Sequence, residues 1–409
     1  MKKGATWNES VLYRDPTTLR QVRRMTCFGQ YNQTPTYHTN TAFTADGEWL
    51  VFATGRQGAS AIVKARVACG DLTAVFTASG TGSRDYMHPF NGNEIGDGKG
   101  LSGNRLALAP TSGWAVFTVE RSLLAVNIHS LETRTLIADV GPASVFGAPS
   151  ISADETKVVV ALSSAHPQIL AGDRVDKDYL SYPDHHMKLV VVPLTGGPPR
   201  VIYERQPCQC SHSSYNPVVN NLVYFDVNVP PLYWCGNDGG ATPRLWLMSD
   251  QGGNAHPLRC SYPGVFTVHA AWTWDGAAIA YHGFLTAAGY ASGIFIGLAT
   301  TEGRVVREYV FPHSHYYGHI SPDPKRPALI LDGDLLQGCL AWLYHDRDLP
   351  RLEVICRHDT EWECMPGQYS HPHPQSDPTG RWISYNAAKG GRSDVFVVDT
   401  AEGVQSNGR

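Results

Sequence analysis

Long apolar runs are missing from this 409-residue chain. No stretch reaches the roughly 18 apolar residues that a membrane-crossing helix needs. Met1-Lys2-Lys3 leads into the polar GATWNESVLYRDP rather than into a secretory apolar segment, so the chain reads as cytoplasmic. Positive charge is not in excess either. Thirty-three Lys and Arg face 37 Asp and Glu, for a net charge of -4, which gives no bulk attraction to nucleic acid or to an anionic membrane. Cysteine is sparse and unpatterned: nine residues, an odd number, suggest no disulfide framework, and reduced buried thiols are the simplest reading. The one tight cluster is Cys208-Gln-Cys210 with His212, a partial zinc site by ligand type, although CxCxH is not a common zinc spacing. No long amphipathic helix pattern occurs, which leaves strands and turns as the building material.

What is present fits that material. Forty Gly and 27 Pro accompany frequent Val, Ile, Tyr and Trp, the mixture expected of turns joining short strands. One unit recurs: a small or polar residue, a tight turn, then a strand patterned like W-[VI]-x-[FY]. It starts at Thr44, Ala109, Ser152, Asn216, Thr273, Ser321 and Asp377, seven copies in all. A second apolar strand follows most copies, as in KLVVVPLTGG from Lys188 and DVFVVDTAEG from Asp394. Strands at this spacing predict an all-β, seven-bladed β-propeller, with residues 1–409 forming a single domain. The last copy runs out near Glu402 with part of a blade. Leu19, Val22 and Met25 in YRDPTTLRQVRRMT have the pattern to supply the missing outer strand and close the ring. Three connections are long, 80–103, 166–187 and 226–243. Their Tyr, Trp, His and Arg content favours ordered loops around a site, though the first is Gly-rich enough to be mobile.

Seventeen His are the compositional oddity. The richest stretch is GQYSHPHPQSDPTGRW, Gly367 to Trp382, holding Gln368, His371 and His373. On an extended backbone two His at i and i+2 point the same way, and Pro372 and Pro374 favour that conformation. Neutral imidazoles so placed suit Mn, Zn or Fe; the plain alternative is a His-rich turn capping a hairpin. Other His lie two to six residues ahead of a repeat's turn: His38 in copy one, His212 in four, His269 in five, His315 and His319 in six. With Ser321 opening the sixth turn, His319 is two residues ahead of it and Tyr317 four. Such slots precede the first strand of each blade, which lines a propeller's central channel, so these imidazoles are expected to meet at one channel mouth. His129, His256, His345 and His358 read as solvated surface, and His282 as core. His88, His166, His185 and His186 sit on the long loops and could rim a site.

These segments carry a resemblance. Gln368-Tyr-Ser-His371-Pro-His373 is similar to the Q-x-x-H-x-H metal segment of the oligogalacturonide lyase family. Pro243-Arg244-Leu-Trp-Leu-Met resembles the strand bearing that family's catalytic Arg, and the opening YRDPTTLRQVRRMT resembles its opening. Thr267-Val-His269-Ala-Ala-Trp272 resembles its H-E-x-W segment, with Ala270 in place of Glu, and Pro312-His-Ser-His315 resembles the segment of its remaining His ligand. The resemblance implies a propeller enzyme that cleaves uronate-containing oligosaccharides by β-elimination. It implies a divalent metal, manganese first with zinc or calcium as alternatives, on His315, Gln368, His371 and His373. His319 competes with His315 for the fourth position.

A uronate lyase removes the C5 proton beside a carboxylate and expels the O4 substituent, and neutralising that carboxylate lowers the barrier. By resemblance Arg244 is the general base. A guanidinium seldom gives up its proton, so the rival role is a bidentate clamp on the carboxylate, with His269 or His38 moving the proton. His212 and His319 at the channel mouth are expected to contact substrate. Tyr215, Tyr233, Trp234 and Tyr317 could stack on sugar rings or simply pack the propeller. Related propeller lyases act on ulvan or on rhamnosyl-glucuronate, and a non-catalytic propeller that binds glycan or protein is the remaining alternative.

Overall fold

The computed structural model describes residues 1–34, 41–84, 94–141, 144–164, 186–229, 242–259, 264–285, 293–312, 318–362, 364–365 and 367–401. Seven antiparallel sheets of four or five strands follow one another along the chain, the blades of an all-β propeller. Among the described residues the helical segments are the short turns Asp334–Leu336 and Gly367–Ser370, and no helix is long and apolar enough to cross a membrane.

Each blade begins with an inner strand and a turn, and in most blades the first residue of that turn caps it with its own side chain. Asn216 accepts from the backbone N–H groups of Val218 and Val219 at 2.9 and 2.8 Å, and Asp323 from those of Lys325 and Arg326 at 2.8 and 2.9 Å. The Thr273 hydroxyl accepts from Ala278 N–H at 3.0 Å, and Asp377 from Trp382 N–H at 2.7 Å. These side chains do locally what a ladder would otherwise do, which is why Asn, Asp, Ser and Thr recur there. Gly47, Gly276 and Gly380 follow with φ near +70°, where a side chain would be strained.

The core is divided between blades. Trp342 and Ile330 of blade six pack on Ile383 and Tyr385 of blade seven, and Tyr224 and Leu247 of blade four on Trp272 and Ile279 of blade five. Val395 and Val397 of the last blade pack on Leu50 and Phe52 of the first, so apolar contact runs across the join between the two ends. Each fully buried Leu, Phe or Val is worth about 1.5–3 kcal/mol, and a blade leaves that surface wet unless both neighbours are present.

The N-terminal residues serve two blades. Thr6–Asn8 pairs antiparallel with Asp71–Ser79 at the outside of blade one. Gln21–Arg24 pairs with Arg392–Asp399 in blade seven, Val22 opposite Val398, and Val11–Arg14 adds a further strand outside it. Of the three long connections, the first contains the pair Gly82–Arg84 and Glu94–Lys99. The other two lie mainly outside the described residues, with Tyr233 and Trp234.

Candidate active site

The inner strands of neighbouring blades touch: Val265–Trp272 meets Ile320–Pro322, which meets Gln375–Ser376. Measured from the capping residue of each turn, His212, His269, His319 and His373 all lie four positions ahead, before Asn216, Thr273, Asp323 and Asp377. The sixth turn is capped by Asp323 rather than opened by Ser321, because only Asp323 offers an oxygen to two following N–H groups. His319, not Tyr317, therefore holds the matching slot.

Equal slots on successive blades bring the rings together. Ring centroids are 5.8 Å apart for His212 and His269, 4.7 Å for His269 and His319, and 4.1 Å for His319 and His373. His371 lies 5.3 Å from His319 and 5.7 Å from His373. Candidate ligand atoms of His319, His371 and His373 all fall within 4.8 Å of one another. Three convergent imidazoles, two of them buried, suit a divalent transition metal. Gln368 joins them, its Oε1 3.0 Å from His373 Nε2. His38, His315 and Tyr317 lie outside the described residues, as do His88, His166 and His185.

The backbone under this segment departs from the extended form that two prolines suggest. Gly367–Ser370 is a 3-10 turn, His373 has φ +47°, and the strand starts only at Gln375. A non-Gly residue in that region is strained and has to be held there by its surroundings.

What holds these rings is the residue opposite each of them across the hairpin. Antiparallel register places Asp226 opposite His212, His282 opposite His269, and Asp332 opposite His319. Asp226 Oδ2 is 2.8 Å from His212 Nδ1, and Oδ1 accepts from the N–H groups of Ser211 and His212 at 2.8 and 3.0 Å. Arg244 also reaches this carboxylate, donating from Nη2 at 2.7 Å, while its Nε donates to Asn228 Oδ1 at 2.7 Å. Complete burial works against ionisation of Asp226, but Arg244 and then His212 outweigh it and hold the carboxyl well below the usual range. Among the described residues the buried Arg244 Nη1 has no hydrogen-bond partner.

His269 Nδ1 is 2.8 Å from His282 Nε2. Burial pushes His282 down to about 3, followed by the charge of nearby His319, so this imidazole is neutral at ordinary pH. His319 Nδ1 is 3.0 Å from Asp332 Oδ2, the His319 N–H donates to Oδ1, and the His373 N–H donates to Oδ2 at 3.0 Å. Burial opposes ionisation of Asp332, yet the charge and hydrogen bonds of His319 keep it below the usual carboxylate range.

Other expectations fall differently. His358 is buried rather than surface, 6.0 Å from the ring of Trp362, which in turn lies 4.9 Å from His371; burial lowers the His358 pKa to about 4. His282 is core, as its strand position suggests, but it is bonded to the site. His186 pairs with Glu204 away from these rings. Cys208 and Cys210 do not join His212 in a metal group among the described residues. The Cys208 thiol meets Met187 Sδ at 3.1 Å and that of Cys210 the His212 carbonyl at 3.2 Å, and burial raises both pKa values. Tyr215 is not among the rings. Its hydroxyl donates to Asp250 at 3.0 Å, and its side chain lines a cavity of about 320 Å³ with Trp272, Trp274 and Pro322, at the turn end of the inner strands.

No family model matches the chain. A solved oligogalacturonate lyase in complex with manganese superposes with a TM-score of 0.76 at 21% identity, over 98% of both chains. The corresponding lyase from Vibrio parahaemolyticus gives 0.75 at 19%, over 97% of this chain and 98% of that one. An oligogalacturonide lyase of Pectobacterium atrosepticum is 22% identical over 328 residues, 77% of this chain and 81% of that protein. The chain resembles the oligogalacturonate lyases. The match to the oligogalacturonate lyase of Dickeya dadantii, 24% identical over 229 residues, spans about half of each protein, 51% of this chain and 54% of the relative. Asp226, Asp332, His282 and Trp362 carried no motif of their own; their one signal in sequence is distance, 13 or 14 residues after a slot His for the first three.

Proposed function

We propose that this protein is a metal-dependent lyase that cleaves oligogalacturonate-type uronate oligosaccharides by β-elimination, residues 1–409 acting as one unit. The observation that carries the reading is the meeting of a three-imidazole cluster and a buried arginine beside one row of rings. In this reading His319, His371 and His373, with Gln368, hold a divalent ion, manganese by preference, with zinc or calcium as alternatives. His315 lies outside the described residues and is not needed to complete the trio. When bound, the ion supplies Lewis acidity to the uronate carboxylate beside the reacting carbon.

The residues of the chain divide the remaining work. Arg244 binds the carboxylate with Nη1, the one guanidinium nitrogen not committed to Asp226 or Asn228. With Nη2 held 2.7 Å from a buried carboxylate and Nε on Asn228, the geometry supports binding of the substrate carboxylate through Nη1, rather than a bidentate clamp, over the base that the resemblance implies. His269 takes the C5 proton on Nε2, its Nδ1–H donating to neutral His282. The electron pair of the C5–H bond becomes the C4–C5 double bond, the C4–O4 bond breaks with its electron pair leaving on O4, and O4 takes a proton from water. In this reading His212 contacts the substrate, and His38 remains a further proton carrier for the same step.

The test is direct. Full-length protein with Mn²⁺ and a galacturonate oligomer should give the near-ultraviolet absorbance of a C4–C5 unsaturated uronate. No absorbance with galacturonate, ulvan or rhamnosyl-glucuronate oligomers, with or without Mn²⁺, would discard the lyase in favour of a binding protein.

A further inference from the structure

We infer that Asp332 is a positioning residue that sets two metal ligands from two different blades at once, His319 through its ring and His373 through its backbone; this rests on the metal centre proposed above. Asp332 follows Ala328–Leu331, the second strand of blade six, and stands opposite His319 across the hairpin. Oδ1 accepts the His319 N–H, and Oδ2 lies 3.0 Å from both His319 Nδ1 and the His373 N–H. Asp332 is 1% exposed.

Each contact does something different. An ionised carboxylate only accepts, so the bond at Nδ1 places the His319 proton there and leaves Nε2 with its lone pair. That is the tautomer a metal needs, and the nitrogen it leaves unprotonated is the one on the far side of the ring from the acid. The bond to the His373 N–H acts on the backbone instead. His373 sits at φ +47°, a conformation that has to be held, and this hydrogen bond helps to hold it from the neighbouring blade. The approach is possible because residue 318 is glycine: a Cβ there would lie 2.1 Å from Asp332 Oδ1. Among the described residues no Lys or Arg forms an ion pair with Asp332, whose ion-pair partner there is His319.

Asp332→Asn tests the assignment. An amide turned to accept from the N–H of His319 presents its NH₂ to His319 Nδ1 and to the His373 N–H. Mn²⁺ affinity of the full chain, measured calorimetrically, should fall about 10–100-fold. Asp226→Asn, a change of the same kind beside Arg244, should leave Mn²⁺ affinity within a few-fold. Nitrogen-15 spectra of the histidines in metal-free protein supply the readout that a merely structural role would not move. His319 should be the Nδ1–H tautomer in the unmodified chain and shift toward Nε2–H in Asp332→Asn. If that variant does not fold, the unmodified chain still decides, because an Nε2–H tautomer at His319 overturns the inference. Undiminished Mn²⁺ binding by folded Asp332→Asn overturns it while leaving the metal centre standing. No Mn²⁺ uptake by the unmodified chain removes the metal centre and this inference together.

Discussion

Blades four and six put an aspartate at the same place and surround it differently. Asp226 and Asp332 each stand opposite a slot histidine, each accept its backbone N–H, and each hold its Nδ1. Asp226 is also paired with Arg244, whereas Asp332 meets imidazole and a backbone N–H from the next blade. The protein thus supplies its own cation at one anchor and leaves the other carboxylate beside three convergent imidazoles. A guanidinium with one uncommitted nitrogen suits an anionic group of a ligand, while the imidazole trio suits a cation. One backbone position, repeated, gives two anchors of different surroundings, which the proposed function reads as complementary halves of a site for a metal and a carboxylate.

The comparison can be broken most sharply at the trio. His371→Ala should abolish Mn²⁺ uptake measured by calorimetry, while His212→Ala in blade four leaves it intact; full metal content in the first variant would dissolve the division. Next comes the cation that blade four carries. Arg244→Lys keeps charge but loses the fork, and elimination should fall about 10²–10³-fold with Mn²⁺ affinity unchanged. A parallel loss of metal binding would show that the two halves are not separate. Arg244→Ala should also destabilise the fold, since it strands a fully buried carboxylate, by about 3–5 kcal/mol in a urea titration.

The smallest effect is graded with pH. His282 titrates near 3 and His358 near 4 in the folded chain, both below the usual 6.5. Below pH 6.5 the unfolded chain takes up protons that the folded one refuses. Stability therefore falls as pH drops from about 6.5 toward 4 and 3, by up to about 1.4 kcal/mol per pH unit for each group. Asp226, held below its ordinary range, adds a stabilising contribution present at neutral pH and lost in stronger acid. Urea midpoints between pH 7 and 4 should decline, and His358→Gln should flatten the decline; an unchanged slope would show that His358 is already charged in the fold.

The propeller was legible in the sequence because its signal is repeated: a cap such as Thr273 or Asp377, a turn glycine, then an alternating apolar strand. The gathering of His212, His269, His319, His371 and His373 was legible for the same reason. The register of blade six was not, since Ser321 and Asp323 both look like caps and only a hydrogen bond distinguishes them. Nor could the His371–Pro374 backbone be read, because His373 has a positive φ and its N–H bonds to Asp332 of another blade, a contact that sequence spacing does not reveal. Asp226 and Asp332 were hidden by their ordinariness. An acid at the end of a strand says nothing until the hairpin opposite it is known.

The pairing of Val22 with Val398 carries a consequence for synthesis. Val22 leaves the ribosome long before its partner exists, and Arg20, which donates to the carbonyls of Val354 and Ile355, waits almost as long. At roughly 5–20 residues per second, that interval is on the order of tens of seconds. Throughout it Val11–Arg14 and Gln21–Arg24 have no sheet to join, and unpaired strand-forming segments are the ones from which a nascent chain can pair with the wrong neighbour.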